Sequence, residues 1–138
     1  MPITDLLKRN ANLAPNEIAL VEINPGAVGK AGRSWREFAL TQPTGISGRR
    51  EMTWKEFDEK ANRFANLLRN RGVPRGTKVA ILLMNCLEWL PIYFGILKAG
   101  SIAVPLNYRY TAEEISYCLK KSGAEHLEAQ IRMMFLFL

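Results

Sequence analysis

The chain has 138 residues, the size of one ordinary globular domain, with 48% hydrophobic and 23% charged residues. These values exclude a disordered tail, a collagen-like fibre and a coiled coil, and no stretch approaches the ~20 apolar residues of a transmembrane helix. The net charge of +6 is spread through segments that carry their own acidic residues, so it predicts a solvated surface rather than a nucleic-acid-binding face.

The first half of the chain predicts two short elements and a long loop. Apolar spacing over residues 3–13 favours a helix, and alternation over residues 18–23 favours a strand. Residues 24–52 are broken by glycines and prolines and predict a variable surface loop. Within it, residues 41–48 have the residue types of a phosphate-binding loop, but they lack a partnering lysine, so a turn-rich loop is the interpretation.

The second half predicts helices that alternate with strands. Thr53 and Glu56 form a capping-box pattern before a helix that ends at Gly72. The unbroken apolar run 79–84 is typical of a strand covered on both faces, and residues 101–106 predict the next strand.

Two further helices complete this pattern. Asn85 and Glu88 predict a cap for the helix that ends near Gly100, and Pro91 predicts that this helix kinks or starts late. Thr111 with Glu114 opens a third capped helix, which ends at Gly123. Short connections between strand, helix and strand predict an α/β fold, a partial parallel sheet with βαβ crossovers.

Taken together, residues 53–127 resemble the amino-terminal region of the AMP-forming acyl-CoA synthetases, within the adenylate-forming (AMP-binding) enzyme superfamily. Residues 1–23 are compatible with the opening helix and strand of that family. The resemblance is carried by the order and spacing of these features: Arg71-Gly72-Val73, Gly76, the strand that ends at Asn85, the run YFGILKAG at 93–100, the run AVPLN at 103–107, and Thr111 to Glu114.

The resemblance implies the fold of the start of the large N-terminal domain of these enzymes. Residues 1–127 would be an incomplete N-terminal adenylate-forming domain, and residues 128–138 a hydrophobic tail outside the family pattern. This tail is interpreted as the mark of a truncated or frame-shifted gene product or of a cloning boundary. A short hydrophobic anchor is the rival interpretation, but the six final apolar residues are far fewer than a membrane span needs.

The resemblance also implies a chemistry for the full-length family. ATP, Mg and coenzyme A would serve to activate a carboxylic acid as an acyl-adenylate and then to form the acyl-CoA thioester. The phosphate loop, the adenine-binding motifs, the acyl pocket and the mobile domain of that family all follow the matched region. For this chain alone, we therefore expect no cofactor and no catalytic, cofactor-binding or metal-ligating residue, and whether it is an enzyme stays open.

Side chains with catalytic potential have simpler interpretations. His126 has no nucleophile or orienting carboxylate near it in the sequence and is interpreted as a surface residue. Cys86 and Cys118 are expected to be reduced, structural and at least half-buried, and Arg109 is not expected to take part in base stacking. Helical spacing favours core or interface positions over an acyl pocket for four aromatic residues: Trp54, Trp89, Tyr93 and Phe94.

Three function classes remain open. The first is the N-terminal portion of an ATP-dependent fatty-acid or other carboxylic acid–CoA ligase, inactive alone. The second is a noncatalytic interaction module derived from that domain, and the third is an unrelated nucleotide- or nucleic-acid-binding α/β domain. Under the first, we expect a cytoplasmic protein without a signal peptide, a nucleic-acid partner or a membrane span. It would self-associate or bind the missing remainder of the ligase, and only the full-length enzyme would bind the acid.

Overall fold

The structure is a computed structural model that describes residues 1–23, 49–83 and 86–124. The chain divides into two units, Met1–Asp58 and Glu59–Leu138, so the division falls within a helix. The described elements, in chain order, are α1 (Ile3–Leu13), β1 (Ile18–Ile23), β2 (Arg49–Thr53), α2 (Trp54–Asn70), β3 (Lys78–Leu82), α3 (Trp89–Lys98), β4 (Ile102–Leu106) and α4 (Ala112–Ser122).

The first unit contains an antiparallel pair of strands, β1 and β2. Leu20 lies opposite Met52, whose side chain is buried. Glu22 lies opposite Arg50, and their side chains form an exposed ion pair with an Nη1–Oε2 distance of 3.4 Å. Such an exposed pair contributes little free energy, so the buried apolar side chain stabilises this pairing more than the charges do.

The sequence predicts a surface loop over residues 24–52, but the structure has the strand β2 at the end of this segment. Residues 49–52 pair with β1, whereas residues 24–48, including the turn-rich stretch 41–48, lie outside the described residues. The prediction was wrong for residues 49–52 because Arg49, Arg50 and Glu51 give no apolar alternation. Two of these charged side chains form an ion pair within the strand, in which Arg49 Nη2 lies 2.6 Å from Glu51 Oε1.

The predicted capping boxes at the starts of α2 and α4 are confirmed. Thr53 Oγ1 accepts a hydrogen bond from the Glu56 backbone N–H at 3.2 Å, and Glu56 Oε2 accepts one from the Thr53 N–H at 2.8 Å. Thr111 and Glu114 repeat this pattern at 3.3 and 2.7 Å. Both helices end as predicted at a left-handed residue, which glycine adopts without a Cβ clash: Gly72 (φ 74°) and Gly123 (φ 66°).

The second unit contains the predicted βαβ crossover. β3 and β4 pair in parallel from Lys78 opposite Ile102 to Leu82 opposite Leu106, and α3 connects them. The helix starts late, as Pro91 predicted, because a proline within the first turn removes no intrahelical hydrogen bond. Glu88, one of the two residues of the predicted cap, occupies the N-cap position of α3, and its side chain makes no capping hydrogen bond there. Asn85 lies outside the described residues.

The core of the second unit forms where α2 and α3 meet β3. Three consecutive residues of β3, Val79 to Ile81, are buried, which confirms a strand covered on both faces. β4 is more exposed, and the side chain of Ile102 at its start is 50% exposed. The buried cluster consists of Phe64, Ala65, Leu68, Val79, Ile81, Ile92, Ile96 and Ala99.

Candidate functional site

In open parallel α/β sheets, ligands bind beyond the carboxyl ends of the strands. In this chain that edge lies after β3 and β4. The described residues there are 86–88, before α3, and 107–111, between β4 and α4. The candidate site is therefore the β4–α4 loop, residues 107–111, whose five side chains are all exposed.

Hydrogen bonds within the loop fix its conformation. Asn107 Oδ1 accepts a bond from the Arg109 backbone N–H at 3.0 Å, and the Asn107 carbonyl accepts one from the Tyr110 N–H at 3.0 Å. Arg109 Nε donates to the Tyr108 hydroxyl at 2.9 Å, and its guanidinium carbon lies 5.4 Å from the Tyr108 ring centroid. An amide, a guanidinium and two phenols are thus presented beyond the end of β4.

This set of groups can bind a ligand but holds no catalytic pair. Arg109 supplies one positive charge, and the phenols of Tyr108 and Tyr110 supply hydrogen-bond donors, a combination suited to a carboxylate or phosphate. The loop contains no histidine, cysteine or carboxylate that could act as a nucleophile or a general base. The N-terminus of α4 is already occupied by an anion, because Glu114 Oε2 accepts the Thr111 N–H.

The aromatic residues weighed as acyl-pocket candidates lie mainly in packed positions. Trp89 and Tyr93 stack with ring centroids 5.4 Å apart and pack against the buried cluster, so the core interpretation is confirmed for both. Phe94 is half-buried and meets Tyr93 edge-on at 6.1 Å. In the first unit, Trp54 is half-buried and stacks on Phe57 at 6.3 Å.

The remaining candidate residues do not assemble into a site within the described ranges. Cys86 and Cys118 are half-buried as expected, and neither is in a disulfide. His126 lies outside the described residues. Across residues 1–23, 49–83 and 86–124, no three His, Cys, Asp or Glu side chains come together in a way that could hold a metal ion. No helix in those ranges is long and apolar enough to cross a membrane.

Sequence reasoning missed the turn that Asn107 forms. A signal for it was available, because asparagine often bonds the backbone two residues on, and here it stands between a strand and a capping box. Arg109, whose backbone N–H closes this turn, also donates from Nε to the Tyr108 hydroxyl, a bond that the sequence pattern did not indicate.

Comparison with known proteins identifies clear relatives. The sequence profile of the AMP-binding enzyme family matches residues 8–130. The chain is 38% identical over 74 residues to FadD13, a long-chain-fatty-acid–CoA ligase of Mycobacterium tuberculosis. This alignment covers 54% of this chain and 15% of the ligase. The chain is 40% identical over 79 residues to bacitracin synthase 1 of Bacillus licheniformis, covering 57% of this chain and 2% of the synthase.

Solved structures show the same fold. The N-terminal domain of FACL13 from Mycobacterium tuberculosis superposes with a TM-score of 0.67 at 27% identity, covering 91% of this chain and 26% of that one. The fatty acid AMP ligase from Legionella pneumophila superposes with a TM-score of 0.68, at 20% identity, over 88% of this chain and 18% of that one. The chain therefore spans only a small fraction of the length of the proteins that it matches.

Proposed function

Because this chain belongs to the AMP-binding enzyme family, we propose that it forms the N-terminal part of an ATP-dependent carboxylic acid–CoA ligase and is inactive by itself. The observation that carries this proposal is the extent of the match. The family profile covers residues 8–130, yet the chain spans only 15% of the length of the mycobacterial ligase. Its structural likeness to a ligase N-terminal domain supports the same assignment.

The proposed substrate class is a carboxylic acid, with fatty acids as the first candidates. Two mycobacterial relatives are named as ligases of fatty acids, at 38% and 40% identity. Bacitracin synthase 1 matches at 40% identity as well, so identity over this segment does not discriminate among acids. A test of activity therefore requires several acids.

In this proposal, ATP, Mg and coenzyme A bind to the full-length ligase. The described residues do not fit these groups. The exposed β4–α4 loop offers a single cation, Arg109, and the carboxylate of Glu114 already caps the adjacent helix. We therefore derive no catalytic step for this chain. Its proposed role is to supply β3, β4 and the helices packed on them as a framework for later parts of the ligase.

The direct test is acid-dependent exchange of labelled pyrophosphate into ATP. The 138-residue chain, with Mg²⁺ and a panel of fatty and aromatic acids, should give no exchange above a no-protein control. Exchange above that control would overturn the proposed inactivity. Intact FadD13 serves as the positive control for the assay.

A chimera tests the proposed role as a framework. Residues 53–124 of this chain replace the corresponding segment of FadD13, and exchange should be retained at a measurable fraction of the parent rate. The matched control chimera carries Gly95→Leu, which places a side chain where Phe64 and Ala61 of α2 leave no room. A folded chimera without exchange would count against a shared role for this segment.

A further inference from the structure

The amino ends of β3 and β4 gather several loops at one edge of the sheet. The Gly76 N–H donates to the Gly100 carbonyl at 2.7 Å, which joins the turn after α2 to the turn after α3. Arg75 lies against Gly100, with its Nε 3.0 Å from the position that a Cβ would take. Lys78 Nζ lies 3.5 Å from the same position at Gly123, so the end of α4 reaches this edge too.

Positive charge is concentrated at this edge. In the described part of the second unit, the carboxylates lie elsewhere: Glu88, Glu113 and Glu114 stand at the starts of α3 and α4. Glu59 is ten residues before Arg69 along α2, or about 15 Å. We name as the basic edge the seven cations at the strand starts and helix ends: Arg69, Arg71, Arg75, Lys78, Lys98, Lys120 and Lys121.

Helix capping does not account for this much charge. Cations at helix C-termini are stabilised by the helix dipole, which places about −0.5 elementary charge at each end. The three helix ends at this edge together carry roughly −1.5 elementary charges, whereas the side chains of the basic edge carry seven formal positive charges. Two of the cations also tie helices together: Arg69 Nη2 donates to the Lys98 carbonyl at 2.6 Å, and Lys98 Nζ donates to Asn62 Oδ1 at 2.7 Å. Even without these two, the basic edge carries more charge than the helix ends neutralise.

Apolar side chains stand among these cations. Ile102, which is 50% exposed, pairs in register with Lys78 at the start of the sheet. Tyr117, which is 63% exposed, lies one turn before the end of α4 with Lys121 Nζ 5.8 Å from its ring centroid. An exposed aliphatic side chain adds nothing to a phosphate-backbone contact, but beside cations it suits the interface of a lipid bilayer.

We propose that the basic edge is a docking surface for anionic lipid bilayers. Headgroup phosphates would neutralise the cations, and Ile102 and Tyr117 would enter the interfacial layer. A single-stranded nucleic acid would instead require aromatic faces that are open for stacking between the cations, whereas the ring of Tyr117 is approached by Lys121. This docking does not depend on the proposed ligase function.

Vesicle co-sedimentation of the 138-residue chain tests the proposal. Phosphatidylcholine vesicles with and without phosphatidylglycerol are compared at equal total lipid, and binding should require the anionic lipid and weaken with added salt. The test variant combines Arg75→Gln, Lys78→Gln and Lys121→Gln. The control variant combines Lys55→Gln, Lys60→Gln and Arg63→Gln, which removes the same charge from the N-terminal part of α2, away from the basic edge. The test variant should lose affinity by about ten-fold or more, and the control variant much less.

Three outcomes would overturn the proposal. Equal binding to neutral vesicles would indicate apolar insertion, for which the six apolar residues 133–138 are candidates. An equal loss in both variants would indicate an effect of net charge alone. Edge-dependent binding of an RNA or DNA oligonucleotide, without a preference for anionic vesicles, would indicate a nucleic-acid surface. Circular dichroism checks the fold of each variant, and Lys120→Glu with Lys121→Glu on exposed α4 positions provides a second test if the first variant unfolds.

Discussion

Two serine hydroxyls in the second unit have opposite environments. Ser101, which is 6% exposed, has no hydrogen-bond partner for its Oγ within the described residues. Ser122 Oγ donates to the Leu119 carbonyl at 3.2 Å and accepts from the Ala124 N–H at 3.3 Å. A buried hydroxyl without a partner costs about 1–3 kcal/mol, whereas a satisfied one contributes about 0.5–1.5 kcal/mol.

We therefore expect alanine substitutions at these two positions to change stability in opposite directions. Ser101→Ala should raise the free energy of unfolding by about 1 kcal/mol, and Ser122→Ala should lower it by about 0.5–1 kcal/mol. Urea unfolding followed by circular dichroism measures both, and each variant is the control for the other. A loss of stability in Ser101→Ala would mean that its hydroxyl makes a bond outside the described residues.

At the scale of elements, α2 and α3 approach each other closely at Gly95. A Cβ built on Gly95 would lie 2.8 Å from Phe64 Cβ and 2.9 Å from the Ala61 carbonyl oxygen. A flexible side chain could move away from such a contact, but the backbone of a neighbouring helix cannot. Glycine at this position therefore serves the packing of the two helices, at the expense of helix propensity.

Two opposing effects, helix propensity and overpacking, decide whether Gly95→Ala raises or lowers the free energy of unfolding. Alanine in a helix interior is favoured over glycine by about 1 kcal/mol, while overpacking a core costs about 1–3 kcal/mol. We expect net destabilisation and a larger loss for Gly95→Leu, measured by urea unfolding. Arg63→Ala, at an exposed position of α2, should change stability by less than about 0.5 kcal/mol and is the control. A more stable Gly95→Ala variant would contradict this close packing.

Elements with strong local signals could be predicted from the sequence. The capping box of Thr53 and Glu56 fixed the start of α2, and the apolar run of β3 indicated a buried parallel strand, because both depend on residues that are adjacent in the chain. The strand β2 could not be predicted, since three of its five residues are charged and Arg50 meets its partner Glu22 only across the pair. Elements with a local apolar or capping pattern could be predicted, whereas a strand without apolar alternation could not.

A distinction between local and long-range signals applies to the β4–α4 loop and to the basic edge. The turn at Asn107 is local and had a sequence signal, although its exposed side chains gave no indication of their arrangement. The basic edge combines residues as distant in the sequence as Arg69 and Lys121, which share one edge only because the parallel strands β3 and β4 both start there. The net charge of +6 for the whole sequence does not reveal such clustering.

At the scale of the whole chain, apolar surface remains exposed on the second unit. β4 has an exposed Ile102, and none of the residues of α4 is buried, although Ile115 and Leu119 are apolar. Within the described residues, β4 pairs only with β3. An unpaired strand edge next to exposed apolar side chains favours association with another chain.

We therefore expect the isolated chain to fold but to self-associate through the β4 edge, and Ile102→Lys to lower this association, because a charge on an edge strand opposes pairing. Light scattering, together with the fluorescence of a hydrophobic dye, measures the effect at matched concentrations. Leu13→Lys is the control, since it replaces an exposed apolar side chain in a helix rather than in a strand and should have a smaller effect. A monomeric wild-type chain without dye fluorescence at high micromolar concentration would contradict the expectation. It would favour the noncatalytic module over a ligase fragment, because a self-contained unit would not need later parts of a ligase to pair with the open edge of β4.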